Sequence, residues 1–115
     1  MAKKKPGEHA APSLSKERLR TLVEKATVDA YGDDEQRVGF FTMLEDNLAV
    51  PFETSLLGIP VCVESIELTS VDDIVAMCVR GKERQRIPIL DLPLPSPRPE
   101  GWEWIEAYRH WVNPT

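Results

Sequence analysis

The sequence predicts an α+β fold made of an N-terminal helical hairpin, a small antiparallel SH3-like β-barrel and a C-terminal helix. Apolar residues recur at helical spacing on both sides of Gly32, whereas residues 54–90 contain four short β-branched segments separated by turns. Helical periodicity followed by a run of short strands is typical of α and β elements segregated within one domain. With 115 residues the chain can bury one modest core, and we predict a single domain over residues 15–115.

The first helix is expected from about Lys16 to Ala30. Ser15 is a suitable N-cap residue, and Gly32 can adopt the left-handed conformation that ends helices. The apolar positions of this segment share one helical face; they are Leu19, Leu22, Val23, Ala26 and Ala30.

The second helix should start at Asp33 or Asp34, because either acid can act as an N-cap. Gln36 stands three residues after Asp33, as in a capping box. Its buried side is predicted from helical spacing to consist of Val38, Phe41, Leu44 and Leu48. Since only a few residues separate the two helices, they should form a hairpin.

The β-branched segments predict four strands, at residues 54–57, 61–68, 74–79 and 85–90. Their tight connections favour a meander that closes into a barrel. Pro88 has no amide donor and therefore belongs on an edge strand or at a bulge. The proline-rich residues 93–99 should be a rigid connector to a last helix over about residues 100–112, with Trp104, Tyr108 and Trp111 on one face.

The composition excludes several classes of function. No apolar run reaches the roughly 20 residues needed to span a bilayer, and residues 1–14 read as a disordered basic tail without the apolar segment of a signal peptide. Two cysteines, Cys62 and Cys78, form no disulfide framework, so we expect a cytoplasmic protein with reduced thiols. No catalytic motif surrounds them, and we expect no enzyme activity. The net charge of −5 argues against a dedicated nucleic-acid binder.

The most informative stretch is an acidic cluster between the two predicted helices. Asp29, Asp33, Asp34 and Glu35 fall within seven residues, and the segment 29–53 holds seven acids and one base. Carboxylates crowded in this way repel one another, and a hard cation such as Ca²⁺, which takes six to eight oxygen ligands in irregular geometry, would relieve the repulsion. The acids could equally be helix caps and solvated surface.

The cluster is not an EF-hand loop. Counted from Asp29, position 3 is Tyr31, glycine falls at position 4 and position 12 is Phe40, whereas an EF-hand needs acids at positions 3 and 5, glycine at 6 and Glu at 12. Acids also end the second helix, where Asp46 opposes the negative end of the helix dipole. A bound cation would relieve this conflict, and so would solvent.

A basic run, Arg80–Arg86, offers an alternative function. It lies on a predicted strand–turn–strand without the aromatic residues typical of single-strand binders. The simpler interpretation is a solvated hairpin whose arginines pair with acids such as Asp91. The runner-up function is an SH3-like interaction module that binds a protein or nucleic-acid partner through this hairpin; the sequence does not identify a protein partner.

Two long stretches of the chain resemble the CcbP-type bacterial calcium-binding family. The more specific stretch comprises Gly81–Pro95 and Pro99–Trp111, and a second match comprises Val38–Leu48 with Pro51 and Phe52. The resemblance covers roughly residues 16–112. It implies a small, acidic, EF-hand-free protein that binds Ca²⁺ reversibly in the cytoplasm as a buffer or sensor.

Transferred to this sequence, the resemblance favours the acidic hairpin as the metal site. The implied ligands are Asp29, Asp33, Asp34, Glu35 and Asp46. The choice of individual ligands follows from charge density, because the most specific matching stretch contains few acidic side chains.

Overall fold

The computed structural model describes residues 14–114 and has three helices and one four-stranded antiparallel sheet. In chain order the elements are α1 (Lys16–Thr27), α2 (Asp33–Asn47), β1 (Phe52–Leu56), β2 (Ile59–Leu68), β3 (Ile74–Arg80), β4 (Glu83–Pro88), a 3₁₀ turn (Ile89–Asp91) and α3 (Glu103–Val112). The predicted α+β class is confirmed. The predicted tail, apart from Leu14, lies outside the described residues, and Leu14 packs against the core.

The sheet is open, so a closed SH3-like barrel is not confirmed. The strand order is β1-β2-β3-β4, and β1 and β4 form its two edges without pairing with each other. A register shift between Val63 and Ser65 marks a bulge in β2, and bulges bend and twist a sheet. Pro88 ends β4, which confirms its predicted place on an edge strand.

Helix α2 packs on β2, α1 and α3 pack on α2 and on each other, and all three helices share one core with the sheet. Phe40 and Leu44 of α2, Leu22 of α1 and Ile105 of α3 are almost completely buried. The aromatic face predicted for the last helix is confirmed, since Trp104 and Tyr108 are buried and Trp111 is half-buried.

The buried side predicted for α2 is partly wrong. Phe40, which is fully buried, takes the central position, whereas Val38 is 40% exposed. The reason is tertiary, because the Phe40 ring packs 5.5 Å from the rings of both Tyr108 and Trp111. Next to it, Gly39 lies so close to the backbone carbonyl of Ala26 that no Cβ fits between α1 and α2.

The end of α2 is joined to the start of α3. The amide of Ala49 donates a 2.8 Å hydrogen bond to the carbonyl of Glu100. Gly101 has φ +87° and is in contact with the backbone of Asn47 and Leu48. Both its conformation and its surroundings therefore require glycine.

No described helix is long and apolar enough to cross a membrane.

Candidate functional site

The tip of the α1–α2 hairpin carries the acidic cluster predicted from the sequence. Ser15 caps α1 as predicted, accepting from the Arg18 amide at 3.0 Å. The helix ends at Thr27, earlier than the predicted Ala30, and Asp29 enters the left-handed region with φ 62°. The chain reverses there, so Asp29 stands in the turn and Asp33 begins α2.

Three of the four tip acids form the first turn of α2. Asp33, Asp34 and Glu35 are all exposed. Consecutive residues of an α-helix are separated by about 100° around its axis, because 3.6 residues make one turn. The three side chains therefore fan outward instead of converging on one point. The positive end of the helix dipole stabilises negative charge at this position.

The capping arrangement differs from the predicted one. Gly32 is the N-cap of α2 and has no side-chain cap; Glu35 reaches back, and its Oε1 accepts a 2.9 Å hydrogen bond from the amide of Tyr31. Gln36 is not part of a capping box, because its side chain contacts Trp111. Glu35 thus has a structural role, although its second carboxylate oxygen can still bind a cation.

The remaining tip acids have no cationic partner among residues 14–114. The ion pairs formed within this part of the chain leave out Asp29, Asp33 and Asp34. Nor do any three His, Cys, Asp or Glu side chains of the described residues come together closely enough to hold a metal ion. The carboxylate oxygens of these acids suit a hard cation. In the positions that the structure shows, however, their side chains must rotate before three of them can bind the same ion.

Asp46 lies far from the other predicted ligands. It is exposed in the last turn of α2, whereas Asp33 is the first residue of the same helix. Thirteen residues at 1.5 Å rise each separate them by about 20 Å along the axis. Ligands of one Ca²⁺ lie 2.3–2.6 Å from the ion, so Asp46 cannot share an ion with Asp33, and any role for it requires a separate site.

The residues that follow the acids contact the C-terminal helix, which the sequence did not reveal. Gln36 Oε1 accepts a 3.0 Å hydrogen bond from Trp111 Nε1, and the guanidinium of Arg37 lies 5.4 Å from the centre of the Trp111 ring. Arg37 also stands 3.9 Å from Asp73 in the β2–β3 turn. The tip is therefore connected to both α3 and the sheet.

Tyr108 lies in the same group of side chains. Burial raises the pKa of its phenol above the ordinary value of 10.0; the nearby charge of Arg37 opposes this shift and that of Asp73 adds to it. Its ring is 6.0 Å from that of Trp111, in a stacked arrangement. The phenol therefore stays neutral in the folded protein around physiological pH.

The basic hairpin is exposed, and two of its arginines reach across β3 to pair with acids of β2. Arg84 lies 3.0 Å from Glu64, and Arg86 lies 2.8 Å from Glu67. The prediction of paired arginines is confirmed, but within the described residues their partners are on β2 and do not include Asp91. The hairpin borders a cavity of about 210 Å³ that Leu56 of β1 also lines.

Both cysteines are free thiols. Cys78 is buried, and burial raises its pKa from the ordinary value of 9.0, with a smaller contribution from Cys62. A thiol with a raised pKa is a poor nucleophile at neutral pH. Cys78 therefore packs as a small apolar group, whereas Cys62 is only partly buried.

Comparison with known proteins gives one informative result. No protein-family model matches the chain, and no curated protein matches it. The crystal structure of CcbP from Anabaena has a TM-score of 0.73 against this structure and 18% sequence identity, covering 89% of this chain and 94% of the CcbP chain. The chain therefore has the fold of Anabaena CcbP, and the CcbP-type resemblance found in the sequence is confirmed at the level of the fold.

Proposed function

We propose that the protein binds Ca²⁺ reversibly at the tip of the α1–α2 hairpin and acts as a cytoplasmic calcium buffer or sensor without catalytic activity. The observation that supports this function best is the group of exposed acids at the tip, which no described Lys or Arg neutralises. The fold shared with Anabaena CcbP supports it further, since the resemblance in the sequence implies calcium binding.

The proposed ligands are Asp29, Asp33 and Asp34, with the free oxygen of Glu35. Because these side chains are exposed, rotation about χ1 and χ2 disturbs no packing. Ca²⁺ accepts an irregular shell completed by backbone carbonyls and water. The helix dipole opposes a cation at this end of α2, so we expect affinity towards the weak end of the range of about 10⁻⁷–10⁻⁵ M that is typical of calcium sensors.

Calorimetric titration of the chelator-treated protein with calcium tests the proposal directly. We expect saturable binding in the micromolar range and poor competition by magnesium, whose octahedral geometry at 2.0–2.1 Å tolerates an irregular turn badly. The absence of any binding heat or spectral change up to millimolar calcium would rule the function out.

A second candidate function is that of an SH3-like interaction module. Leu56 of β1 and Gln85 of β4 line the same cavity, as they would in a sheet rolled partly towards a barrel. The exposed edge strand beside this cavity favours a role in binding a partner.

A further inference from the structure

The free edge of β4 is the part of the sheet available for another strand. Of the two sheet edges, that of β1 is approached by the segment after the 3₁₀ turn, because Thr54 Oγ1 donates a 2.6 Å hydrogen bond to the carbonyl of Pro93. On β4, by contrast, residues 83–86 are all exposed. Outside the β3–β4 ladder, no backbone hydrogen bond among the described residues involves Arg84 or Arg86.

The backbone of β4 is arranged to accept such a strand. In an antiparallel pair, residues alternate between those that exchange hydrogen bonds with the neighbour and those whose N–H and C=O groups point away from it. Arg80 and Glu83 close the two-residue turn of the hairpin, which places Glu83 in the bonded set. Arg84, Arg86 and Pro88 then belong to the outward set. Because an N–H at position 88 would point away from β3, Pro88 removes no hydrogen bond between β3 and β4.

Side chains on the two faces of the edge differ in character. Gln85 pairs with Cys78 and borders the cavity of about 210 Å³, which has an apolar part formed by Leu56, Ile59 and Cys78 and a charged rim formed by Arg80, Glu83 and Arg84. Arg84 and Arg86 lie on the opposite face, where they pair with Glu64 and Glu67. A strand added beside β4 would meet Arg84 and Arg86 on one face and, on the other, a cavity with an apolar part and a charged rim.

We propose that the β4 edge binds an extended segment of a partner protein in which acidic residues alternate with apolar ones. The acids lie next to Arg84 and Arg86, and the apolar side chains enter the cavity. The hairpin 80–86 carries four bases and one acid within a chain of net charge −5, so this edge attracts negative charge. The existing ion pairs are exposed and weak, so the arginines can be shared with the added strand.

Charge also excludes a second copy of the chain from this edge. Antiparallel pairing of two β4 strands would place arginines opposite arginines, and like charges in directly opposed positions destabilise a sheet. Charged residues on an edge strand commonly prevent self-association in this way. The same charges favour an acidic strand over a neutral or basic one.

The test is an NMR titration of the full chain with short blocked peptides, in chelator and again in calcium. The first peptide alternates Glu with Val, the second Lys with Val and the third Glu with Gly. We expect the Glu-Val peptide to shift the amides of Arg84, Arg86 and Cys78 and to slow hydrogen exchange at Arg84 and Arg86. The other two peptides should bind at least about tenfold more weakly, with or without calcium.

Three variants sharpen the test. The double variant Arg84→Gln/Arg86→Gln should weaken Glu-Val binding about tenfold, whereas Arg18→Gln/Arg20→Gln, which removes the same charge from α1, should leave it unchanged. Arg84→Pro removes one outward amide and should abolish binding while the rest of the spectrum is retained.

Three results would overturn the proposal. These are equal binding of the Lys-Val peptide, shifts centred on a second cavity, which Thr21 of α1 and Met43 of α2 line, or no shifts with millimolar Glu-Val peptide. Binding of a single-stranded oligonucleotide to the hairpin, with all three peptides silent, would assign the basic surface to nucleic acid instead.

Discussion

The indole nitrogen of Trp111 donates a 3.0 Å hydrogen bond to the side chain of Gln36, the residue that follows the three acids in the first turn of α2. Gln36 directly follows Glu35, so a change of conformation at the acidic tip is passed through Gln36 to Trp111, a fluorescent side chain of the C-terminal helix. The contact connects two positions that are 75 residues apart in the sequence.

We predict that calcium changes the emission of Trp111. The indole N–H bonds the Gln36 side chain and the Arg37 guanidinium lies over the ring, so rotation of the first turn of α2 alters the polar surroundings of Trp111. A Trp111→Phe variant should bind calcium with unchanged affinity, measured by calorimetry, and lose the emission change. An unchanged emission spectrum in the wild-type protein, together with normal binding, would favour a buffer over a sensor.

Neutralising the tip should weaken calcium binding. Asp33→Asn/Asp34→Asn removes two candidate ligands while leaving the Glu35 cap intact, and we expect the affinity to fall by about tenfold or more because it depends on ligand charge. Glu45→Gln/Asp46→Asn removes the same charge at the other end of α2 and serves as the matched control. If calorimetry showed that Glu45→Gln/Asp46→Asn loses more calcium affinity than Asp33→Asn/Asp34→Asn, the site would lie at the C-terminal end of α2.

Calcium should also raise the melting temperature. A ligand that binds the folded chain alone stabilises it by about 2.7 kcal/mol at a concentration one hundred times its dissociation constant. The shift should follow the calcium concentration in thermal unfolding experiments and be much smaller in Asp33→Asn/Asp34→Asn. Saturable binding with a constant melting temperature would contradict this linkage.

The glycine between α1 and α2 should be indispensable for close packing. Gly39→Ala forces a methyl group against the backbone carbonyl of Ala26, and we expect a loss of about 1–3 kcal/mol or more in the free energy of unfolding. Thr42→Ala, at an exposed position of the same helix, is the control and should change it far less. Equal denaturation midpoints for the two variants would show that the helices can separate at little cost.

The stability should fall at alkaline pH through Tyr108. Its pKa is raised by burial in the folded state, so its contribution to stability is complete below about pH 10, the pKa of an unperturbed tyrosine, and is lost as the pH rises through the folded-state pKa. Tyr108→Phe should flatten the fall in denaturant midpoint above pH 10. Tyr31→Phe, at a position that is 84% exposed, should keep the wild-type profile.

The elements were predictable from the sequence where local physics decides them. Ser15 caps α1 because a hydroxyl can satisfy a free amide, and the β-branched segments form strands in the predicted order. The aromatic face of α3 follows from helical periodicity. The resemblance of the sequence to the CcbP-type family indicated the CcbP fold, and the structural similarity to Anabaena CcbP supports that prediction.

The misassigned features depend on contacts between distant segments. The burial of Phe40 in place of Val38 depends on Tyr108 and Trp111, about 70 residues later, and the same aromatic group draws Gln36 away from a cap. Whether four strands close into a barrel depends on their curvature, which their composition does not encode. The separation of Asp46 from Asp33 needed only the helix rise, once α2 was known to be continuous.

The contact of Gly101 with the last turn of α2 bears on how the protein is made. Because α3 packs on both α1 and α2, the part of the hairpin's apolar surface that α3 covers stays exposed until α3 has been synthesised, even after α2 has packed on β2. Until then the growing chain exposes this surface to solvent and to other chains, a situation that promotes aggregation. A message truncated before the codon for Gly101 would yield a polypeptide that depends on chaperones, even though both helices and all four strands are encoded in it.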